Sequence, residues 1–257
     1  LHYSSFQISS DHKWFVARRE AISVPPAMAL FDTESNEVAV LAYQSEKDKK
    51  KAAELGLAKP ELFACKAADE KTTLYGTLYK PSNFDPKRKY PLLISVYGGP
   101  SSRGVSNRYS AANAYCEFGF LVATIANRGT AARGKAFETA GYLKLGTVDL
   151  DDQAAGVRHL AKRSYVDATR VGIAGHSYGG YMSALALLRY PEIFHVGVAG
   201  APVTDWKNYD TIYTERYMRT PMENPDGYRA GSCLSYAKKL KGKLLLLHGL
   251  IDDNVHP

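Results

Sequence analysis

The sequence is poor in cysteine and has no long apolar segment. Its three cysteines, Cys65, Cys116 and Cys233, are far apart and form no Cys-x-x-Cys pair or Cys/His cluster. We therefore expect neither a disulfide framework nor a zinc site. No run of about 18 apolar residues is present, so no membrane-spanning helix is expected. Low-complexity tracts are also missing, and 45% hydrophobic with 23% charged residues is typical of a globular protein.

The charge is basic but carries no sign of a nucleic-acid partner. The net charge of +7 comes partly from residues 46–51 (EKDKKK) and 85–91 (DPKRKYP), where acids and prolines are interleaved with the bases. A nucleic-acid surface would need a basic face with stacking aromatics or a known binding module. We read both stretches as solvated linker and turn surface and expect no nucleic-acid binding.

The chain divides by pattern at about residue 42. Short strands are predicted at 13–20, 26–32 and 37–42, the last two joined by a polar hairpin connection. Three such strands cannot close a core of their own, so residues 1–42 are predicted to be the end of an all-β unit. Residues 43–60 are charged and then broken by glycine, which favours a linker or a short helix.

Residues 61–257 alternate short apolar runs with longer helical ones. Strands bounded by glycine and rich in Val, Ile and Leu, alternating with helices, predict an α/β fold with a mostly parallel sheet covered on both faces. In the helix predicted at 149–163, apolar residues recur at three and four positions, and three aspartates lie where the helix dipole favours negative charge. The predicted strands are 90–99, 120–129, 170–177, 195–202 and 243–249, and the predicted helices are 149–163 and 178–190.

The stretch AGHSYGGYMS (residues 174–183) places Ser177 between two glycines at the spacing of a nucleophilic serine. An apolar strand ends there, the chain must turn sharply, and a helix begins, which is the context that a nucleophile elbow requires. A glycine-rich turn that only packs a helix on a strand is the alternative interpretation. If Ser177 is a nucleophile, the backbone N–H of Tyr178 points at the developing oxyanion.

A serine hydroxyl needs an oriented base, and in this type of fold the chain order is serine, acid, histidine. The acid candidate is Asp252, the first of two aspartates in a loop after an apolar strand; helix or loop capping is the alternative for both. His256 is only four residues further on, His176 adjoins the nucleophile, and His248 lies in a strand-like run. The other histidines precede the acid: His2, His12, His159 and His195. We therefore expect the base to lie outside these 257 residues, and the chain alone to be inactive.

Several stretches over residues 60–257 together resemble the prolyl oligopeptidase clan of serine peptidases, most closely its dipeptidyl-peptidase IV branch. The segments that carry the resemblance are 74–100, NRGTAARG (127–134), GHSYGGYMS (175–183), APVTDWKNYDTIYTERYM (201–218) and HGLIDDNVHP (248–257). It implies an α/β-hydrolase domain, and it makes residues 1–42 similar to the last strands of the β-propeller that precedes that domain in the family.

The resemblance also implies a set of site residues. Ser177 matches the nucleophile and Asp252 the triad acid, while the Tyr97 hydroxyl and the Tyr178 N–H match the oxyanion hole. Asn254 matches the side chain that holds a substrate carbonyl. Six residues match the pocket for the residue before the scissile bond: Tyr178, Val203, Trp206, Tyr209, Tyr213 and Val255. The four positions from Val203 to Tyr213 are three or four residues apart, a spacing that residues on one face of a helix would also show. Packing of such a face in the core is therefore the alternative interpretation of these residues.

The function implied is an exopeptidase that releases dipeptides, or tripeptides, after Pro or Ala through an acyl-enzyme on Ser177. The partner implied is a peptide with Pro or Ala near its N-terminus, with a homodimer left open and no metal or cofactor. An acylaminoacyl peptidase or prolyl endopeptidase of the same clan, an esterase, and a non-catalytic binding protein on the same scaffold are alternatives. One departure is Ala126, which stands where relatives often carry an acid. The compartment, whether periplasmic, extracellular or cytoplasmic, stays open.

Overall fold

A computed structural model describes residues 1–55, 59–110 and 113–257. Within them the strands are β1 (His2–Ile8), β2 (Trp14–Ala21), β3 (Val24–Asp32), β4 (Glu37–Ala42), β5 (Glu61–Lys66), β6 (Thr73–Tyr79), β7 (Tyr90–Ser95), β8 (Leu121–Ala126), β9 (Val166–His176), β10 (Val196–Gly200) and β11 (Lys243–Leu247). The α-helices are α1 (Glu46–Glu54), α2 (Lys135–Glu138), α3 (Val148–Leu160), α4 (Tyr178–Arg189), α5 (Thr211–Met218) and α6 (Pro225–Gly231). Short 3-10 helices occupy Ala114–Phe118, Thr139–Gly141, Trp206–Asn208 and Cys233–Lys239.

These elements form two compact units. The first comprises Leu1–Glu61, Tyr79–Phe84 and Ser106–Phe118, and the second comprises Leu62–Leu78, Asp85–Val105 and Gly119–Pro257. The longest segment of the first unit ends at Glu61, and two later segments join it. Residues 56–58 of the predicted linker lie outside the described residues.

The first unit is built on an antiparallel sheet in the order β1-β2-β3-β4. Its core is small: Ala17, Ala29 and Phe31 are buried, and the rings of Phe15 and Phe31 stack with centroids 5.0 Å apart. Much apolar surface stays exposed, including the side chains of Phe6, Ile8, Val38, Leu41 and Tyr43. A sheet with so little buried apolar area gains little stability from its own packing.

The second unit contains a seven-stranded sheet in the order β11-β10-β9-β7-β8-β6-β5. The neighbours from β11 to β8 pair in parallel, as the alternating pattern predicts. After β7 the chain goes to β8 on one side, and it then returns to β9 on the other. The carboxyl ends of β7 and β9 therefore flank the point where strand order reverses, which is where ligands bind in open α/β sheets.

Two helices hold the centre of this unit together. All side chains of α4 from Tyr178 to Leu188 are buried, as expected for a helix that is apolar all round. The predicted apolar positions of α3 are also buried, which confirms that interpretation. However, Asp149 and Asp152 are buried too, at 3% and 0% exposure. The dipole argument explains why acids are favoured near this helix start but not why two of them are buried.

The predicted strands and helices of both units are present, and the structure adds elements that the pattern did not reveal. The additions include β1, β5, β6 and α6. Within the predicted linker, the helix α1 begins at Ser45, whose side chain accepts a hydrogen bond from the Asp48 N–H.

In the described part of the chain, every helix is too short or too polar to cross a membrane. Among the same residues, His, Cys, Asp and Glu side chains form no group of three or more that could hold a metal ion. All three cysteines are buried free thiols.

Candidate active site

Ser177 lies on a strained turn between β9 and α4. Its φ of 58° and ψ of −118° are unusual for a residue with a side chain. The backbone is held there because the Ser177 N–H donates to the Gly200 carbonyl at 2.8 Å, and the Ser177 carbonyl accepts from the Tyr181 N–H at 2.9 Å. Serine at a helix N-cap ordinarily caps the helix with its hydroxyl, yet Ser177 makes no such bond. The Ser177 hydroxyl is therefore not committed to capping α4.

The glycines after Ser177 are required by close packing of the backbone. A Cβ built at Gly179 would lie 2.1 Å from the Val96 carbonyl oxygen, and one at Gly180 would lie 2.2 Å from the Gly200 carbonyl oxygen. Both neighbours are backbone atoms at the ends of flanking strands and cannot be moved by a change of rotamer. Gly179 and Gly180 are therefore required because the chain at the ends of β7 and β10 packs directly against the start of α4.

Tyr97 and Tyr178 lie side by side next to this turn. Tyr97 follows β7 and is 43% exposed, whereas Tyr178 begins α4 and is 2% exposed; their ring centroids are 5.9 Å apart. The turn after Tyr97 can pack against the Tyr178 ring because Gly99 has no Cβ. A Cβ built there would lie only 2.6 Å from that ring. Burial raises the pKa of the Tyr97 phenol, and nearby Tyr209 and Tyr217 act in the same direction. Tyr97 is thus a neutral hydrogen-bond donor at physiological pH.

A chain of buried amides fixes the turn after Tyr97. Asn127 is 0% exposed and its Nδ2 donates to the Gly98 carbonyl at 2.9 Å. Its Oδ1 in turn accepts from Gln153 Nε2 at 2.8 Å. The φ of Gly98 is 75°, a left-handed value suited to glycine. Neither amide was singled out in the sequence; for Gln153 the available signal was a polar residue among the apolar positions of α3.

Aromatic side chains form a cluster beside Tyr178. Trp206, which is 1% exposed, has its ring 5.5 Å from Tyr178 and stacks on Tyr213 with an interplanar angle of 18°. Tyr209 meets Tyr213 edge to face at 5.4 Å. Val203 is buried as well. The Tyr213 hydroxyl is buried and makes no hydrogen bond within the described residues, so it is an unused donor in this cluster.

The cluster is not the stripe of one continuous helix, although Val203 and Trp206 are buried as core packing would also require. The 3-10 helix Trp206–Asn208 is capped by Asp205, and α5 begins only after Asp210, whose side chain accepts from the Tyr213 N–H. Two capping aspartates thus break the helix where its period would have continued. The rings meet because the chain turns between them.

Asp252 lies in the loop after β11 and is held by the backbone of that loop. Its Oδ1 accepts from the N–H groups of Val255 at 2.9 Å and Asn254 at 3.1 Å. These bonds, Val255 foremost, lower the pKa of Asp252, so the carboxylate is ionised at neutral pH. In the same loop, Asn254 Oδ1 accepts from the Tyr209 hydroxyl at 2.8 Å, which joins the loop to the aromatic cluster.

The histidines do not supply a partner for the Ser177 hydroxyl. Within the described ranges, no histidine nitrogen forms a hydrogen bond with Ser177 Oγ. His195 Nδ1 accepts from the Val171 N–H at 3.2 Å, and His176 is exposed. The interpretation of His248 as a packed strand residue is wrong: β11 ends at Leu247, and His248 Nε2 lies 3.6 Å from Asp252 Oδ2 and 2.7 Å from the Val255 carbonyl oxygen.

Comparisons with known proteins agree on one group of enzymes. The model of the prolyl oligopeptidase family matches residues 107–257. Dipeptidyl peptidase 8 of Homo sapiens is 46% identical over 206 residues, which are 77% of this chain and 23% of that protein. The same enzyme of Mus musculus is 45% identical over 206 residues, with the same shares of each chain.

A solved structure extends the likeness to the fold. Porphyromonas gingivalis dipeptidyl peptidase 4 matches with a TM-score of 0.89 at 36% identity, covering 98% of this chain and 36% of that one. The second unit therefore has the α/β-hydrolase fold that the sequence predicts. The chain spans only about a quarter of the curated relatives named here and 36% of that solved chain.

Proposed function

Because the chain belongs to the prolyl oligopeptidase family, we propose that it carries the catalytic serine of an exopeptidase that releases dipeptides after Pro or Ala. The observation that carries the proposal is Ser177 on its strained turn, with an uncommitted hydroxyl beside Tyr97, Tyr178 and an aromatic slot. The relatives named as dipeptidyl peptidases support this substrate class.

In the proposed reaction, Ser177 Oγ attacks the carbonyl carbon of the second substrate residue while a histidine takes its proton. The negative charge that develops on the carbonyl oxygen is stabilised by the Tyr178 N–H and the Tyr97 hydroxyl. The C–N bond then breaks, the histidine returns its proton to the leaving amine, and the dipeptide stays on Ser177 as an ester. Water, deprotonated by the same histidine, hydrolyses this ester and restores Ser177.

Asp252 is proposed to orient that histidine. Its Oδ1 is committed to two backbone N–H groups, while its Oδ2 lies 3.6 Å from His248 Nε2. A carboxylate held in this way presents one oxygen in a fixed direction, as a triad acid must. None of the described histidines bonds to Ser177 Oγ, so we assign the base to a residue outside positions 1–257 and expect the 257-residue polypeptide alone to be inactive.

The aromatic cluster is proposed to receive the proline ring. Tyr178, Trp206 and Tyr213 offer flat apolar faces, and an N-alkylated peptide presents no N–H that would need a partner there. The remaining slot residues proposed are Val203, Tyr209 and Val255. Because Asn254 Oδ1 accepts from Tyr209, its Nδ2 is left as a donor for a carbonyl of the substrate backbone.

The first unit is proposed to be the end of a β-propeller. Its four-stranded antiparallel sheet in sequential order has the form of one propeller blade, and its exposed apolar side chains suit contact with a neighbouring blade.

A labelling experiment tests the catalytic proposal. The protein that carries this sequence, expressed from its complete reading frame, is treated with a fluorophosphonate and assayed on Gly-Pro and Ala-Pro chromogenic amides. We expect an adduct on Ser177 and turnover, both abolished by Ser177→Ala. Turnover that survives Ser177→Ala would overturn the proposal, and turnover of N-blocked but not free peptides would favour the acylaminoacyl or endopeptidase alternative.

A further inference from the structure

A buried acid next to the aromatic slot has no part in the peptidase chemistry above. Asp149, in the first turn of α3, is 3% exposed. Its Oδ2 accepts from the Tyr178 hydroxyl at 2.5 Å and from the Gly146 N–H at 3.2 Å, and its Oδ1 accepts from the Leu150 N–H at 3.0 Å. Within the part of the chain that the structure describes, no Lys or Arg forms an ion pair with it.

Such a group is costly to keep in the interior. Burial raises the pKa of Asp149 to about 6, against the lowering effect of the Tyr178 hydroxyl and the two N–H groups. At neutral pH the side chain is therefore a buried carboxylate that has hydrogen bonds but, among the described residues, no ion-pair partner. A buried charge of this kind is a cost to stability that proteins commonly keep at functional sites, so a role at the site is indicated.

The partner of this acid touches both parts of the proposed site. The Tyr178 ring lies 5.9 Å from the Tyr97 ring and 5.5 Å from the Trp206 ring. The turn after Tyr97 lies against the same ring, since a Cβ at Gly99 would be 2.6 Å from it. A change in the direction of the Tyr178 ring would thus disturb the oxyanion donor and the slot together.

We propose that Asp149 is a positioning residue for catalysis: by holding the Tyr178 hydroxyl, it fixes the ring that forms the wall between the oxyanion hole and the proline slot. The assignment rests on the proposed function and deepens it, because it names a residue that sets the preference for proline. Asp149 contacts neither substrate nor reacting atoms and acts through Tyr178. With the ring held, the slot keeps the width of a flat proline ring.

A double-mutant cycle of Asp149→Ala and Tyr178→Phe tests this coupling. The alanine removes both acceptor oxygens, whereas an asparagine could keep the Tyr178 bond by giving up the one from Leu150; the phenylalanine keeps the ring and loses the hydroxyl. We expect each single change to lower kcat/KM on a Gly-Pro amide by about ten-fold, with less effect on the matching Gly-Ala amide. The double variant should be no worse than either single one, since both remove the same bond.

The chain offers a matched control on the same helix. Asp151 Oδ1 accepts from the Tyr190 hydroxyl at 2.6 Å, the same type of bond, and Asp151 also pairs with Arg189. A cycle of Asp151→Ala and Tyr190→Phe should leave the ratio of Pro to Ala turnover unchanged. If the ratio changed as much as it does in the Asp149 cycle, the assignment would be overturned. The effect of the Asp149 cycle would then come from a general loss of stability in α3.

The remaining outcomes separate this assignment from the proposed function. Independent, additive losses in the Asp149 cycle, or unchanged kinetics in a folded Asp149→Ala protein, would overturn the positioning role while Ser177→Ala is still inactive. An unsubstituted protein without turnover would overturn the proposed function, and the positioning role with it. If Asp149→Ala fails to fold, Tyr178→Phe alone decides: an unchanged Pro to Ala ratio overturns the role.

Discussion

The Tyr209 hydroxyl donates a 2.8 Å hydrogen bond to Asn254 Oδ1 and so joins two segments that are far apart in the sequence. Tyr209 belongs to the aromatic cluster, and Asn254 belongs to the loop that carries Asp252. The bond fixes the direction of the Asn254 amide, and therefore the position of its Nδ2. The bond thereby links the group proposed to bind a substrate carbonyl to the cluster proposed to receive the proline ring.

The first prediction concerns this bond. Tyr209→Phe should raise KM for a Gly-Pro amide about three- to ten-fold with little change in kcat, because an unrestrained amide binds the substrate backbone less well. Steady-state kinetics of the full protein measure both constants. Tyr236→Phe, at a tyrosine outside the cluster, is the control and should change neither. An unchanged KM in Tyr209→Phe would show that Asn254 does not need this bond.

The second prediction concerns the close approach of Gly99 to the Tyr178 ring. Gly99→Ala places a methyl group 2.6 Å from that ring. We expect a loss of about 1 to 3 kcal/mol in the free energy of unfolding, with slower fluorophosphonate labelling of Ser177. Denaturant unfolding and labelling rates measure the two effects.

Gly141 provides the control for that substitution. It is also buried, but a Cβ built there meets nothing within 4 Å. Gly141→Ala should therefore change the free energy of unfolding by no more than about 0.5 kcal/mol. Equal losses at the two glycines would mean that the contact with Tyr178 is unimportant.

The third prediction follows from the raised pKa of Asp149. Desolvation raises it from 3.8 to about 6, so between these pH values the folded protein binds a proton that the unfolded chain has released. This group therefore favours the folded state most below pH 4 and loses that contribution as the pH rises through 6, a change of roughly 3 kcal/mol. Asp149→Asn removes the titration. The difference in unfolding free energy between the two proteins, measured from pH 4.5 to 7.5, should shift towards the unsubstituted protein as the pH falls; a constant difference would contradict the prediction.

The fourth prediction compares two ion pairs of different burial. Arg128 forms a bidentate pair with Asp152, which is 0% exposed and also accepts from the Ala68 N–H. Asp152→Ala leaves Arg128 with only Asp69 and should cost about 3 to 5 kcal/mol. The exposed pair of Asp226 and Arg229 is the control, and Asp226→Ala should cost less than about 1 kcal/mol. Similar losses at the two sites would mean that burial of the Arg128 pair does not matter.

Much of the architecture could be predicted from the order of residue types. Runs of Val, Ile and Leu bounded by glycine predicted the parallel strands, because such runs are typical of strands buried on both faces; β11 is the exception, since Leu245, Leu246 and Leu247 are about half exposed. The context of Ser177 gave its strained turn, since a serine between close-packed glycines after an apolar strand has few other conformations. The short polar-flanked strands β5 and β6 were missed because they lack a long apolar run.

The contact between Asp149 and the Tyr178 hydroxyl could not be predicted from the sequence. An acid in the first turn of a helix has a sufficient local explanation in the helix dipole, and only the packing of α3 against α4 brings it to the Tyr178 hydroxyl. The break between Trp206 and Tyr213 is similar, because two capping aspartates override a helical period that the spacing alone would continue.

The sequence by itself determined the elements, their order and the serine on its turn, because these depend on local periodicity and on backbone conformations that few residues allow. Only the tertiary structure decided which distant groups meet: Tyr209 with Asn254, Asn127 with Gln153, and Asp149 with Tyr178. Each of these pairs joins polar atoms shielded to different degrees from water, and their partners are set by the packing of separate elements rather than by neighbours along the chain.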